Sequence, residues 1–345
     1  MFEKKKLFNP EADDSNICML NCDTTNLIYI NRPKYPWAIS LYKRMREMFW
    51  TPEIVDMTPD KKDFTNLTPA EQEAYRGILS FLVFLDSLQS NNLANIVPYI
   101  TAPEVVCCLI EQESQEVNHS VSYQTIFESV FTQDETDEIY YYWQNDKILL
   151  DRNAYIANIY QEFVDEPNIE NFIETLIADL LLEGLYFYNG FQFFFNLASR
   201  GLMTGTSDMI ALIRKDEFMH ISIFQNILKD VYKLLPKELQ TFLMTRLEEM
   251  TEVAIEQEIE WATHITGNEI LGINERSIID YTYYLAHTNI LKAFGINKYE
   301  EYKNPYTHLD KIANESGGSD KKGNFFEANS NSYSQVNALK GFSDF

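Results

Sequence analysis

The chain has 345 residues, enough for one large domain or two ordinary ones, and 45% of them are hydrophobic, so a sizeable core can form. Its formal net charge of −24 makes nucleic acid and anionic membrane surfaces poor partners. The N-terminal segment MFEKKKLFNP has no apolar stretch, so no signal peptide is predicted. Residues 176–197 are strongly apolar, but Asp179 and Glu183 within them argue against a membrane span.

The four cysteines, at positions 18, 22, 107 and 108, form no CxxC pair. Cys107 and Cys108 are neighbours inside an apolar helical stretch and are predicted to be core thiols. Free thiols suit a reducing compartment, so the sequence predicts a cytoplasmic protein.

The hydrophobic pattern is helical along almost the whole chain, and helix-start signals divide it into segments. Thr68-Pro69-Ala70-Glu71 combines a capping threonine, a proline at the first helical position and an acid three residues after the cap. This signature predicts a helix that runs to about Asn95. Thr101-Ala102-Pro103-Glu104 repeats it and predicts a second helix through about Ser129.

The later segments are also predicted to be helical. Thr206 or Ser207 is predicted to cap the fourth core helix. In chain order, the segments are a crossover at about 134–165, a third core helix at 168–199, the fourth core helix after a turn at 201–207, and two amphipathic helices near 236–266 and 274–294.

Two Glu-x-x-His pairs carry the first chemical signal. Glu116 and His119 lie in QEVNHSVSY, and Glu217 and His220 lie in KDEFMH. Side chains three residues apart share one face of a helix, so each pair presents a carboxylate and an imidazole together.

Two single acids carry the second signal. Asp86 interrupts the apolar run GILSFLVFLDSL, and Glu183 interrupts LIADLLLEGLYFYNGFQFFF. A carboxylate buried in such surroundings costs several kcal/mol unless it is paired or bound to a cation. Lysine and arginine are nearly absent nearby, so a metal is the expected partner.

The order of these residues predicts an all-α, ferritin-like helical bundle with a buried dimetal carboxylate site. Asp86 and Glu116 are 30 residues apart and Glu183 and Glu217 are 34 apart, each the length of a helical hairpin. The 67 residues from Glu116 to Glu183 leave room for one long crossover. Ferritin-like proteins place one carboxylate on each of two helices and a Glu-x-x-His pair on each of the other two.

The C-terminal segment differs in composition from the rest. Residues 1–313 are predicted to form the helical domain, and residues 314–345 are rich in Ser, Asn, Gly and Lys and cannot fold alone. The segment is interpreted as a flexible tail that orders on a partner, because hydrophobic residues recur along its end: Tyr333, Val336, Leu339, Phe342 and Phe345.

A site with four carboxylates and two imidazoles favours iron or manganese over zinc, which prefers four tetrahedral ligands. Tyr123 lies four residues after His119 and faces the same site, where a phenol can serve as a one-electron donor; an ordinary core tyrosine is the alternative. Asp216 is available to accept a histidine ring N–H. The residues predicted to line an apolar pocket are Phe187, Phe191 and Ile213.

Over nearly its whole length the chain resembles the small, radical-generating subunit of class I ribonucleotide reductase. The stretches that carry the resemblance are FWTPEIVDM, FLVFLDSLQ, QEVNHSVSY, LEGLYFYNGF and IRKDEFMH. The resemblance assigns the metal-ligand positions to Asp86, Glu116, His119, Glu183, Glu217 and His220.

The resemblance also implies a mechanism. A dinuclear iron or manganese centre reacts with oxygen, or an activated form of it, and oxidises Tyr123 to a tyrosyl radical. The hole then passes through Trp50, with Asp216 at the start of the path, and through Tyr333 to a cysteine of the large subunit, where ribonucleotides are reduced to deoxyribonucleotides. The family is a homodimer whose tail docks on the large subunit. The absence of a Gly-rich phosphate loop agrees with a chain that holds no nucleotide itself.

Several points stay open. The segment LEGLYFYNGF slightly favours the forms of the small subunit that can use manganese with a flavodoxin-like activator. Neither the metal nor the choice of di- or triphosphate substrate is decided. The ending GFSDF is less acidic than in many relatives, which leaves partner specificity open. The alternatives are a related dimetal ligand-binding oxidase, which needs neither Trp50 nor a docking tail, and iron storage, which uses shorter chains. A rubrerythrin-type peroxidase would need CxxC motifs.

Overall fold

A computed structural model describes residues 2–315, and within that range the chain is helical and has no β-strand, only an isolated bridge between Leu20 and Ile100. The predicted all-α class is therefore confirmed. The α-helices are α1 (Pro36–Glu47), α2 (Asp60–Phe64), α3 (Pro69–Ile96), α4 (Pro103–Val130), α5 (Gln133–Tyr140), α6 (Tyr142–Asn145), α7 (Lys147–Asp165), α8 (Ile169–Leu181), α9 (Tyr188–Ser199), α10 (Thr204–Leu234), α11 (Lys237–Thr266), α12 (Glu275–Leu285) and α13 (Thr307–Glu315).

The last helix, α13, ends at Glu315, two residues beyond the predicted end of the folded domain at position 313. The rest of the predicted tail, including Tyr333, lies outside the described residues.

Helix α3 begins as its sequence predicts. The Glu71 backbone N–H donates to the Thr68 hydroxyl at 3.2 Å, and the Thr68 backbone N–H donates to the Glu71 carboxylate at 2.9 Å. This reciprocal capping box satisfies two backbone donors that a helix start would otherwise leave unpaired.

The capping box predicted for α4 is wrong, although the helix begins at Pro103 as expected. Ala102 occupies the cap position and its side chain makes no capping bond. The Thr101 hydroxyl instead donates to the Cys18 carbonyl at 2.8 Å, and the Glu104 carboxylate accepts the Tyr35 backbone N–H at 2.7 Å. Both side chains are thus used to attach the N-terminal segment to the bundle.

The third core helix is interrupted where the sequence predicts one continuous helix. A π-helical segment, Leu182–Tyr186, separates α8 from α9 and contains Glu183. Side chains from elsewhere occupy two carbonyls of this segment: Asn289 donates to Gly184 at 2.9 Å and Arg152 donates to Tyr186 at 2.7 Å. Tertiary contacts therefore satisfy the irregular backbone, which is a common setting for a functional residue.

The cap of α10 comes from a residue distant in sequence. The Asp60 carboxylate accepts the backbone N–H groups of Gly205 at 2.9 Å and Thr206 at 2.6 Å. The prediction that Thr206 or Ser207 caps this helix is wrong, because the helix already begins at Thr204 and a buried aspartate meets its free donors.

The core helices pair as two hairpins. Helix α3 packs against α4, α8 packs against α10, and α10 also contacts α4, while α11 covers α3 and α8. The crossover α5–α7 joins the hairpins, as the spacing predicts. No helix in residues 2–315 combines the length and apolar character needed to cross a lipid bilayer.

The cysteines are arranged in a way that the spacing did not indicate. Cys18 and Cys22 form a disulfide in the N-terminal segment. Cys107 and Cys108 are free thiols on α4, with Cys108 buried and Cys107 half-buried. The core-thiol prediction describes Cys108 better than Cys107, whose side chain is partly accessible.

Candidate metal centre

The six predicted ligands come together at the centre of the bundle, and each is fully buried. Each core helix, or the π segment between α8 and α9, supplies one or two of them. The contributors are Asp86 on α3, Glu116 and His119 on α4, Glu183 on the π segment, and Glu217 and His220 on α10.

The cluster divides into two overlapping groups of four. In each group, one ligand atom per residue lies within 4.8 Å of the others. Glu116 and Glu217 belong to both groups, so their carboxylates lie between two potential cation positions. The groups are Asp86, Glu116, His119 and Glu217, and then Glu116, Glu183, Glu217 and His220.

Both imidazoles turn the same atom towards the cluster. The Nδ1 of His119 lies 3.1 Å from Glu217 Oε1, and the Nδ1 of His220 lies 3.1 Å from Glu116 Oε1. Burial opposes the charged form of each ring, but the carboxylates outweigh it and raise the pKa of both histidines well above its usual value.

For two of the acids, burial changes the pKa in the direction opposite to its effect on the histidines. It raises the pKa of Asp86 and of Glu183 well above the usual range, and neighbouring carboxylates raise both further. Protons on these groups are thus what balances the charge when no cation does so.

The donor set fits two metal ions. Four carboxylates balance two divalent cations, and oxygen ligands with two imidazoles suit iron or manganese. Within the described part of the chain, several buried ligand atoms have no hydrogen-bond partner, a costly arrangement that bound cations would relieve. These atoms are both carboxylate oxygens of Asp86, Glu116 Oε2 and Glu183 Oε2, together with His119 Nδ1 and Glu217 Oε1, which form an ion pair at 3.1 Å without hydrogen-bond geometry.

Tyr123 lies one turn beyond His119 on α4 and is fully buried. Burial raises the pKa of Tyr123 well above its usual value, and the Asp86 carboxylate raises it further. The side chain is therefore a neutral phenol beside a carboxylate of the cluster.

Trp50 and Asp216 extend the cluster on the His119 side. The Trp50 indole N–H donates to Asp216 Oδ2 at 2.7 Å, and the same oxygen lies 3.2 Å from His119 Nε2. A continuous hydrogen-bonded path therefore leads from the buried cluster to an indole that is 7% exposed. Asp216 accepts from a histidine ring, as the sequence predicts, and that ring is His119.

Three glutamines around the cluster were missed by the sequence reasoning. Gln112 and Gln89 both donate to Glu183 Oε1, at 2.7 and 3.1 Å, and Gln115 Oε1 lies 3.1 Å from His220 Nε2. Helical spacing from the ligands could have indicated Gln89, three residues after Asp86, and Gln112, four before Glu116. The predicted apolar residues Phe187, Phe191 and Ile213 are all fully buried.

Comparisons with known proteins place the chain in a family. Residues 27–305 match the family described as "Ribonucleotide reductase, small chain". The chain belongs to this family. It is 36% identical over 342 residues to a ribonucleoside-diphosphate reductase subunit beta of Treponema pallidum, covering 98% of this chain and 97% of that one. It is 34% identical to the corresponding subunit of Halalkalibacterium halodurans, covering 99% of both.

Solved structures agree with the sequence match. A ribonucleotide reductase R2 subunit from Clostridium botulinum superposes with a TM-score of 0.85 and 41% identity, covering 90% of this chain and 99% of that one. A dimanganese(II) protein from Streptococcus sanguinis shares the fold, with a TM-score of 0.72 and 20% identity over 84% of this chain and 99% of that one. The chain is thus a small subunit of ribonucleoside-diphosphate reductase, with the ferritin-like fold of such subunits.

Proposed function

We propose that this chain generates a tyrosyl radical at Tyr123 and passes the oxidising equivalent to a large subunit that reduces ribonucleotides. The observation that carries this proposal is the buried pair of overlapping ligand groups with a buried phenol beside Asp86. Two iron or manganese ions bound there would supply the oxidising power, through reaction with oxygen or an activated form of it.

The protein's own residues support radical formation at this phenol. One-electron oxidation of a tyrosine releases its proton, and the Asp86 carboxylate is the member of the cluster that interacts most strongly with the Tyr123 hydroxyl. Full burial keeps water and external reductants away from the oxidised ring. The apolar side chains of Phe187, Phe191 and Ile213 belong to the same core.

The electron-transfer path from the metal site towards the large subunit is proposed to begin at His119, Asp216 and Trp50. Hydrogen bonds of 2.7 and 3.2 Å join these groups, so an electron and a proton can move along one connected route. Tyr333, in the tail that docks on the large subunit, is proposed as the next residue of the electron-transfer path. It lies outside the described residues.

Electron paramagnetic resonance tests the central proposal. Metal-free protein is reloaded with iron(II) and exposed to air, or with manganese(II) and a flavodoxin-like activator. A tyrosyl signal is expected with at least one of these treatments. Two bound metals without such a signal under either treatment would overturn the proposal and favour a dimetal oxidase.

Docking of the tail is tested by truncation. Deleting residues 330–345 should leave the radical intact and eliminate ribonucleotide reduction in the presence of the large subunit. Full activity of the truncated chain would show that the tail is only a linker and is not needed for docking on the large subunit.

A homodimer is also proposed, with the outer face of α4 as its contact. Ile110, Val117 and Val121 lie on one side of this helix and are about half exposed. A second copy would remove this apolar stripe from water. Val117→Lys should shift the mass in solution from dimer to monomer, whereas Leu271→Lys, at an exposed turn, should not.

The cytoplasm is proposed as the compartment, on the support of the two free thiols on α4. The Cys18–Cys22 disulfide points the other way. Thiol labelling of protein taken directly from its host cells decides between them: labelling at positions 18 and 22 is expected, and resistance to labelling would contradict a reducing compartment.

A further inference from the structure

A chain of buried polar side chains adjoins Glu183 and has no part in the proposed ligand set or electron path. The two oxygens of the Glu183 carboxylate differ in their surroundings. Oε1 accepts N–H groups from Gln112 at 2.7 Å and from Gln89 at 3.1 Å. Oε2 has no hydrogen-bond partner among residues 2–315 and lies 3.5 Å from the Nδ1 of His220.

The orientation of the Gln89 amide depends on Tyr160. An amide has one accepting end and one donating end, so fixing one end also fixes the other. The Tyr160 hydroxyl donates to Gln89 Oε1 at 2.8 Å. The Gln89 NH₂ group must then face Glu183, and the reversed amide would bring a carbonyl oxygen against the carboxylate.

Burial and Asp179 together keep Tyr160 in its neutral form. Burial raises the pKa of Tyr160 well above its usual value, and the nearby Asp179 carboxylate raises it further, so the hydroxyl keeps its proton. Asp179 lies one helical turn before Glu183 and accepts the Asn92 side-chain N–H at 3.0 Å. All members of the chain are at most 3% exposed.

We infer that Tyr160 is a positioning residue for one of the two metal positions, acting through Gln89 on Glu183. With Oε1 held by two amides, Glu183 presents Oε2 alone to the second ligand group, which contains Glu116, Glu217 and His220. The inference rests on the proposed dimetal function.

The physical reason is the freedom of a glutamate side chain. Without outer hydrogen bonds, a carboxylate can rotate and bind through either oxygen or both, and its ordering then opposes metal binding. Partners in the outer shell of metal sites commonly change affinity by about 10- to 100-fold when they are removed. Glu183 has particular need of such support because it lies on the irregular π segment.

The test is a manganese(II) titration of the metal-free protein without oxygen, with free manganese measured by electron paramagnetic resonance. Tyr160→Phe should weaken one of the two binding events by about 10-fold and leave the other unchanged. Tyr75→Phe is the matched control: it removes another buried phenol, which bonds the Thr206 hydroxyl at 2.6 Å, and should leave both affinities unchanged.

A double-mutant comparison separates positioning from general loss of packing. Gln89→Met keeps the side-chain length and removes both amide bonds, so it should weaken the same binding event at least as much. Adding Tyr160→Phe to Gln89→Met should then have no further effect on the manganese affinities, because the hydroxyl reaches Glu183 only through the amide. If Tyr160→Phe fails to fold, Gln89→Met alone decides.

Unchanged manganese affinities in Tyr160→Phe and Gln89→Met would overturn the inference, as would equal losses at both metal positions or additive effects in the double variant. Failure of the proposed function would look different. In that case the unmodified protein would not bind two manganese ions, or would form no radical, whatever residue occupies position 160.

Discussion

The two sides of the ligand cluster use the same residue types but have different surroundings. On the α3–α4 side, Asp86 adjoins the phenol of Tyr123, and His119 is linked through Asp216 to Trp50. On the side of the π segment, neutral amides surround the ligands instead: Gln112 and Gln89 meet Glu183, and Gln115 meets His220.

The different surroundings indicate different roles for the two sides of the cluster, although their ligand types are alike. The first side has a hydrogen-bonded path from His119 through Asp216 to the oxidisable ring of Trp50, and a phenol beside Asp86, so it can move protons and electrons. On the second side, the groups that touch the ligands are amides, which neither titrate nor oxidise, so they can only orient the ligands. We therefore expect substitutions on the first side to change redox behaviour, and those on the second side to change metal binding.

The largest expected effect is loss of the radical. Tyr123→Phe should abolish the tyrosyl signal while metal content stays at two ions, because the phenylalanine ring lacks the proton and low potential of a phenol. Tyr160→Phe, on the other side, should keep the signal once the metal positions are saturated. Electron paramagnetic resonance with metal analysis checks both variants. A radical that persists in Tyr123→Phe would place it on another residue.

Interruption of the path should have the next largest effect. Trp50→Phe should reduce ribonucleotide reduction with the large subunit by about 100-fold or more, a loss typical of a misplaced reacting group, without loss of the radical. Trp37→Phe is the control, since this indole also donates to an aspartate, Asp230, at 2.9 Å, and Asp230 belongs to neither ligand group. Steady-state assays at equal radical content make the comparison, and equal activity of the two variants would exclude Trp50 from the path.

Removal of a ligand on the second side should lower metal content. Glu183→Ala is expected to reduce bound metal from two ions towards one, because Glu183 belongs to only one of the two ligand groups. Glu116→Ala should affect both ions, since Glu116 belongs to both groups. Metal analysis after dialysis checks this, and two ions in Glu183→Ala would remove that residue from the ligand set.

The smallest expected effect on activity comes from Asp179, which lies outside the proposed ligand set and changes the stability of the protein with pH. Burial raises the pKa of Asp179 to about 7, so the folded metal-free protein holds this proton more tightly than the unfolded chain does. Its contribution to stability is therefore present below the usual aspartate pKa and is lost as the pH rises to about 7, by an amount on the order of 4 kcal/mol.

Asp179→Asn should remove this part of the pH dependence. Melting temperatures of the metal-free variant should fall less than those of the unmodified protein between pH 5 and 8. An identical pH profile for the two proteins would contradict the raised pKa.

Much of the candidate site was predictable because its signals are local. A carboxylate in an apolar run, such as Asp86, and a Glu-x-x-His pair on one helix face are visible without tertiary information. The interval between the two hairpins likewise indicated the bundle and its crossover. The proline and threonine at the start of α3 predicted its first turn, because a capping box involves only residues three apart.

The features that were missed all depend on residues distant in sequence. Asp60 caps α10 from 145 and 146 residues away, and Thr101 is drawn from its predicted cap towards Cys18. The break around Glu183 depends on Asn289, which meets a carbonyl that a regular helix would have used.

Sequence alone therefore determined the class of fold, the residue types of the proposed ligand set and the helices that carry them, since burial of charge and helical periodicity are properties of short segments. Only the tertiary structure decided that Glu116 and Glu217 belong to both ligand groups and that Glu183 has one oxygen held by Gln89 and Gln112. The same holds for the direction of the Gln89 amide, which Tyr160 fixes from a different helix. These are relations between side chains on separate helices, and their geometry exists only once the helices have packed.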